Sequence, residues 1–358
     1  MEFIKVKRES GLDLLRTFAI FFVVGVHFFL QSNFYKVPMS GSNMMLQIAL
    51  RSLFMICVPL FLMLTGYLQI EKKPEVKYFK KIIPILAVYL FYSILSILFR
   101  ACYLNEHKSI FKWISEILIF NADKYSWYIN MYIGLFLITP FLNMIHKNIN
   151  NAKNYKLFLL ILVVLTGLPI FFKALSHHWT YFKYLSFSDW WLSIYPITYY
   201  FLGAYIREYK PKFNKKLASL LLVLIIMFET IINTTFSRSK LFLDGIGEYG
   251  SIIIMVEAVL FFLIFYDIKI NNNRMSRVLG TISILSLDIY MCSYVSDKLV
   301  YTYFMKNLYT SQQQILYYFI FIVMTSFTMA FIVAYLRYKA VRLGPVQNNK
   351  IMKYLAGK

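Results

Sequence analysis

The chain has 358 residues, 59% apolar and only 15% charged, with 38 Lys and Arg against 17 Asp and Glu and a formal net charge of +21. Soluble domains carry about a quarter charged residues, so this composition, with a mean hydropathy of +0.58, excludes an ordinary soluble domain. The basic residues are spread over many short loops rather than one surface, which argues against a nucleic-acid partner.

Apolar runs of about twenty residues, the length of a membrane-crossing helix, fall at 12–31, 45–69, 82–103, 125–145, 157–173, 190–206, 217–236, 250–267, 278–297 and 314–336. They predict an all-α polytopic membrane protein of about ten transmembrane helices, organised as one membrane-embedded domain, 1–358, with no separate soluble domain. The first run carries Asp13 and Arg16 and no small-residue cleavage site follows it, so it is not read as a cleavable signal peptide. Cys57, Cys102 and Cys292 lie within apolar runs without ligand spacing and read as small packing residues. No metal is expected.

The first run, "RTFAIFFVVGVH", brackets ten uncharged residues between Arg16 and His27. Eleven residues advance a helix by about 1,100°, three turns plus about 20°. Arg16 and His27 therefore share a face, roughly 16 Å apart along the axis. An arginine in a span costs about 2.5–3.5 kcal/mol on insertion scales, so it normally faces the bundle interior or a wet cavity. Two readings follow. Either the pair lines a polar passage, with histidine suited to proton transfer near neutral pH, or Arg16 snorkels to headgroups and His27 is a satisfied polar residue between helices. Asp13, three residues before Arg16, either orients the guanidinium or caps the helix start.

Further along, Lys77 and Lys80 stand in a basic stretch before the third run. Trp127, Tyr128, Trp190 and Trp191 fall at predicted outer ends, where aromatic belts form and where a sugar could stack. Glu229, Glu257 and Asp288 are acids inside runs, hence site candidates. His177 and His178 are adjacent and would point apart on a helix, which disfavours a metal site.

Loop charge sets the topology. With the N-terminus inside, the predicted inside segments hold 25 Lys and Arg and the outside loops 10. That alternation predicts an even number of spans, both termini cytoplasmic, in the cell membrane with its lipids as partners.

"LDLLRTFAIFFVVGVHFF" resembles the first helix of acyltransferase family 3, integral membrane enzymes marked by an Arg, ten residues, then a His. "CVPLFLMLTGYL", 57–68, resembles the second helix, with Thr65-Gly66-Tyr67 where Ser-Gly-aromatic is usual. "YFKKIIPIL", 78–86, resembles the basic stretch before the third helix, with lysines in place of the usual arginines. "SWYINMYIGLFLITPFL", "YYFLGAYI" and "SILSLDIYMCSY" are similar to three later helices, the last with Ser293 where a histidine is common. The resemblance covers nearly the whole chain, in order. It implies that an acyl group, most often acetyl, moves from cytoplasmic acyl-CoA to a hydroxyl of a glycan or glycolipid outside.

On that basis Arg16, with Lys77 and Lys80, is the candidate for the phosphates of CoA. His27 is the candidate base or acyl carrier, and Asp13 and Arg16 complete the catalytic set. Trp127, Tyr128, Asp288 and Tyr290 are the candidates for the acceptor. No Gly-x-Ser-x-Gly elbow is present, which disfavours a serine-hydrolase triad. A transporter or flippase for a glycan or lipid-linked sugar is the alternative. A sugar polymerase is a weaker one, because it would want a larger outside loop.

Overall fold

A computed structural model describes residues 9–149, 151–176, 188–238, 240–243 and 246–343. His177, His178, Lys183, Lys5, Lys7, Arg8, Lys350, Lys353 and Lys358 lie outside the described residues. The described residues contain helices and no strand. In order these are α1 (Ser10–Gln31), α2 (Ser42–Met55), α3 (Cys57–Gln69), α4 (Val76–Phe79), α5 (Ile82–Cys102), α6 (Ile110–Leu118), α7 (Trp127–Asn148) and α8 (Ala152–Ser176). There follow α9 (Asp189–Leu192), α10 (Tyr195–Tyr209), α11 (Lys215–Phe236), α12 (Ile252–Phe265), α13 (Asn273–Asn307), α14 (Gln312–Ile315) and α15 (Phe319–Leu343).

Eight helical segments among them are long and apolar enough to cross a membrane, and they coincide with eight of the ten expected runs. The other two runs are α10 and α12, of 15 and 14 residues. At 1.5 Å per residue they reach roughly 22 Å and 21 Å, short of a roughly 30 Å hydrocarbon core. Their starts explain the difference. Pro196 opens α10 at its first turn, and the Ser251 side chain accepts from Ile253 N and starts α12. The apolar runs begin earlier than the helices do.

The described residues group into two compact units. The first comprises the described residues among Met1–Ile70, His146–Ile284 and Leu308–Phe319, and the second those among Glu71–Ile145, Leu285–Asn307 and Ile320–Lys358.

In the first unit α1 packs on α2, α3 and α12. Phe18, Phe22, Phe54 and Phe261 make edge and tilted ring contacts at 5.0 to 5.9 Å. The tightest crossing is α3 on α10. A Cβ added at Gly66 would collide with the Tyr200 carbonyl, and one at Gly203 with the Met63 carbonyl. Two glycines thus let the backbones touch, as small residues do between membrane helices.

In the second unit the Tyr78 ring stacks on Phe136 at 4.4 Å while its hydroxyl donates to the Phe136 carbonyl at 2.8 Å. Asn143 Nδ2 donates to the Lys72 carbonyl at 2.8 Å, and Ser326 donates to Asp297. Cys57 and Cys292 are buried as expected, but Cys102 is exposed, because it ends α5 instead of lying inside a span.

Candidate active site

Both ends of α1 are tethered in the first unit. Ser10 Oγ donates to the Ile268 carbonyl at 3.0 Å and accepts from Ile270 N at 2.9 Å. Past the other end, Gln312 Nε2 donates to Ser32 Oγ at 3.0 Å and to Gln47 Oε1 at 2.8 Å. Between them α1 runs unbroken for 22 residues. Arg16 and His27 therefore share one helix face, with the rise of roughly 16 Å that the spacing predicts.

His27 is buried, with 6% of its surface exposed, and Asp13 is buried with 8%. Arg16 is half-buried, and its Nη1 donates to Ser283 Oγ at 3.0 Å. That bond gives the guanidinium a protein partner on α13, at the first residue of the "SILSLDIYMCSY" stretch. Asp13 does not cap α1: the N-cap position is Glu9, and Asp13 lies within the first turn. Arg16 follows it one turn further on.

A second cluster gathers where α1 begins. Arg207 Nη1 pairs with Glu9 Oε1 at 3.2 Å, Tyr67 Oη donates to Glu9 Oε2 at 3.3 Å, and the Arg207 guanidinium lies 5.2 Å from the Tyr67 ring centroid. Sequence reading missed it because its members come from three distant segments. The signal was there in outline, since Tyr67 ends the Thr65-Gly66-Tyr67 stretch and Arg207 directly follows "YYFLGAYI".

The other expected residues belong to the second unit. Lys77, on α4, and Lys80, which caps it, are both exposed. Trp127 opens α7 and is 44% exposed, consistent with either a belt or a stacking surface. The rings of Tyr128 and Tyr290 meet edge-on at 5.8 Å, so two of the four acceptor candidates come together. Tyr290 Oη donates to the Tyr125 carbonyl, and Ser293 Oγ to the Tyr290 carbonyl at 2.7 Å. Asp288 is buried, pairs with Arg337 and accepts from Tyr92 Oη at 3.1 Å. Arg337, expected in the cytoplasmic tail, lies instead within α15, in the segment long and apolar enough to span. An intramembrane acid needs such a partner.

The first unit holds two further features. Glu229 on α11 and Glu257 on α12 are fully buried and lie against one another, with Asn233 Nδ2 donating to Glu229 Oε1 at 3.3 Å. An open cavity of about 460 Å³ is lined by Lys173, Ser193, Tyr195, Glu248 and Tyr249, with Met55 among its apolar residues. Its lining comes from four separate segments, so no single stretch of sequence marks it. Among the described residues no cluster of three or more His, Cys, Asp or Glu is arranged to hold a metal.

A family model described as an acyltransferase domain matches residues 9–335. No curated protein and no solved structure matches the chain. The matched span starts at the N-cap of α1 and ends within α15, so it contains Arg16, His27, both close-packed glycines and the Asp288 helix. The chain belongs to acyltransferase family 3.

Proposed function

We propose that the protein is a membrane O-acyltransferase that moves an acyl group, acetyl in the first instance, from cytoplasmic acyl-CoA to a hydroxyl of a cell-envelope or capsular polysaccharide or its lipid-linked precursor. The observation that carries this reading is the arrangement on α1: a half-buried Arg16 bonded to Ser283, and a buried His27 three turns further on the same face. Arg16 supplies a fixed cation for the phosphates of CoA. Arg207, Lys77 and Lys80 add charge for the same task. His27 takes the proton of the acceptor hydroxyl as its oxygen attacks the thioester carbonyl. The tetrahedral intermediate then collapses and expels the CoA thiolate, which is protonated in turn. Asp13 orients Arg16. Trp127, Tyr128, Tyr290 and Asp288 form the acceptor side.

The topology proposed is ten crossings in the cell membrane with both termini cytoplasmic, in a single acyltransferase domain. With Arg337, Lys339 and Arg342 placed within α15, the loops hold 22 basic residues inside and 10 outside. Leaving α10 and α12 out as crossings would move Arg207, Lys210, Lys212, Lys215 and Lys216 outside and Arg238 and Lys240 inside. The bias would fall to 19 against 13. Loop charge therefore favours ten. On this topology the cavity beside Lys173 and Glu248 opens outward and offers an acceptor a way in. Membership of an acyltransferase family weighs against the transporter or flippase reading.

Sidedness tests the proposal. Lys36→Cys should react with an impermeant thiol reagent from outside, and Lys77→Cys only after permeabilisation. Sealed vesicles of native orientation should acylate an external glycan only when acetyl-CoA is inside. Transfer supported by acetyl-CoA supplied only outside would overturn the cross-membrane mechanism.

A further inference from the structure

The segment between α5 and α7 in the second unit carries a helix with no place in the transfer reaction. α6 has nine residues, about 13 Å of helix, far too short to cross a bilayer. Ser109 caps its start by accepting from Lys112 N. Its sides differ sharply. Trp113 and Glu116, three residues apart, are buried. The Arg100 guanidinium lies 4.8 Å from the Trp113 ring centroid and pairs with Glu116 at 2.7 Å. Lys108 Nζ repeats both contacts, at 4.8 Å and 2.6 Å. Arg100 Nη1 also donates to the Ala122 carbonyl at 2.7 Å. This side is fixed to the protein.

The opposite side is apolar and uncovered. Ile110, Phe111, Ile114 and Leu118 are 66%, 81%, 47% and 73% exposed. At 100° per residue they occupy one arc of about 100°. Lys112 and Ser115, also exposed, fall between this arc and the buried side. Water does not favour four large apolar side chains held out on a nine-residue helix. The neighbouring element shows what covers them. On α5, a helix long and apolar enough to span, Leu90, Ile94 and Leu98 recur every fourth residue and are exposed, as a lipid-facing stripe would be. Tyr103, exposed just past the end of α5, continues the apolar surface toward α6.

We propose that α6 is an in-plane interfacial helix. Its Ile110–Phe111–Ile114–Leu118 arc is sunk into the headgroup and acyl-chain boundary of the bilayer, and the Arg100 network holds its other side to the protein. A polar side bearing a lysine, beside an apolar arc on a short helix, is the pattern that binds a lipid surface. The inference depends on neither the acyl-transfer chemistry nor which leaflet is involved.

Spin labels report the depth directly. In full-length protein carrying Cys102→Ser and reconstituted in lipid vesicles, cysteines are introduced singly as Phe111→Cys, Ile114→Cys, Leu118→Cys, Lys112→Cys and Ser115→Cys. Power saturation then compares collision with oxygen, which concentrates in lipid, and with a water-soluble nickel chelate. Positions 111, 114 and 118 should favour oxygen, and 112 and 115 the chelate, so the sign of the depth parameter reverses around the helix. If Phe111→Cys does not fold, positions 114 and 118 carry the same prediction. Chelate-favoured collision at 114 and 118 would place α6 in water and overturn the proposal. Shielding of both positions from both reagents would overturn it too, by showing that protein covers the arc.

Discussion

Arg16 on α1 donates to the hydroxyl of Ser283 on α13 across 3.0 Å, joining residues 267 apart in sequence. The bond anchors the guanidinium of one helix to a hydroxyl of another. Lysine keeps the charge but loses the planar fork. Arg16→Lys is expected to weaken acyl-CoA use and Arg16→Ala to weaken it more. Ser283→Ala, which removes only the positioning bond, should fall between wild type and Arg16→Lys. Donor titration in proteoliposomes measures all three. Unchanged donor dependence throughout would make Arg16 a headgroup anchor.

The α3–α10 crossing allows no side chain at its contact. Gly66→Ala and Gly203→Ala each drive a methyl group into a backbone carbonyl. Overpacking of this kind costs about 1–3 kcal/mol, and more where only backbone can move. Gly134→Ala is the control, since a Cβ there meets nothing within 4 Å. Thermal unfolding in detergent should show a lower midpoint for the first two variants and an unchanged or raised one for the third.

Acid should release α6. The hydrogen bond from Arg100, with Lys108 beside it, pulls the Glu106 carboxyl down to about 2. At Glu116 burial pushes upward, but Lys108 and Arg100 outweigh it and the net direction is also down. A depressed carboxylate stabilises the fold above its unfolded value, near 4.3. That contribution is lost as pH falls from there toward about 2. A label at position 112 should gain mobility across that window, and Glu106→Gln should reduce the transition. Asp123 acts oppositely, because burial raises its carboxyl. An unchanged spectrum down to pH 2 would show that the ion network does not hold the helix.

In the second unit the buried Asp288 pairs with the half-buried Arg337, which leaves Asp288 as the buried charge if the arginine is removed. Removing one partner of such a pair costs about 3–5 kcal/mol, because the remaining charge stays buried. Arg337→Leu should therefore destabilise strongly, and Asp288→Asn combined with Arg337→Leu should recover much of the loss. A double-mutant cycle on unfolding midpoints measures the coupling. Additive effects would show that the two do not act as a pair.

Much of the fold was legible from hydrophobic length alone, since eight of the expected runs are long apolar helices. Hydropathy does not register where backbone hydrogen bonding begins, so α10 and α12 came out shorter than their runs. Pro196 and Ser251 set those starts locally. The face shared by Arg16 and His27 was legible because it depends only on helical period within one helix. The Ser283 partner, the Glu9–Tyr67–Arg207 cluster and the Arg337 partner of Asp288 were not, because each joins segments far apart in the chain. Gly66 and Gly203 stood out only as parts of motifs, and the reason for both is a crossing that no single segment encodes.

In the proposed reaction His27 deprotonates the acceptor hydroxyl. Acyl transfer by His27→Ala, in protein that inserts and accumulates normally, is the test of that step. Loss of a general base predicts a fall of about 10²–10⁴-fold in transfer, with binding of acyl-CoA largely retained because Arg16 is untouched. Transfer at the wild-type rate by a well-expressed His27→Ala protein would contradict it.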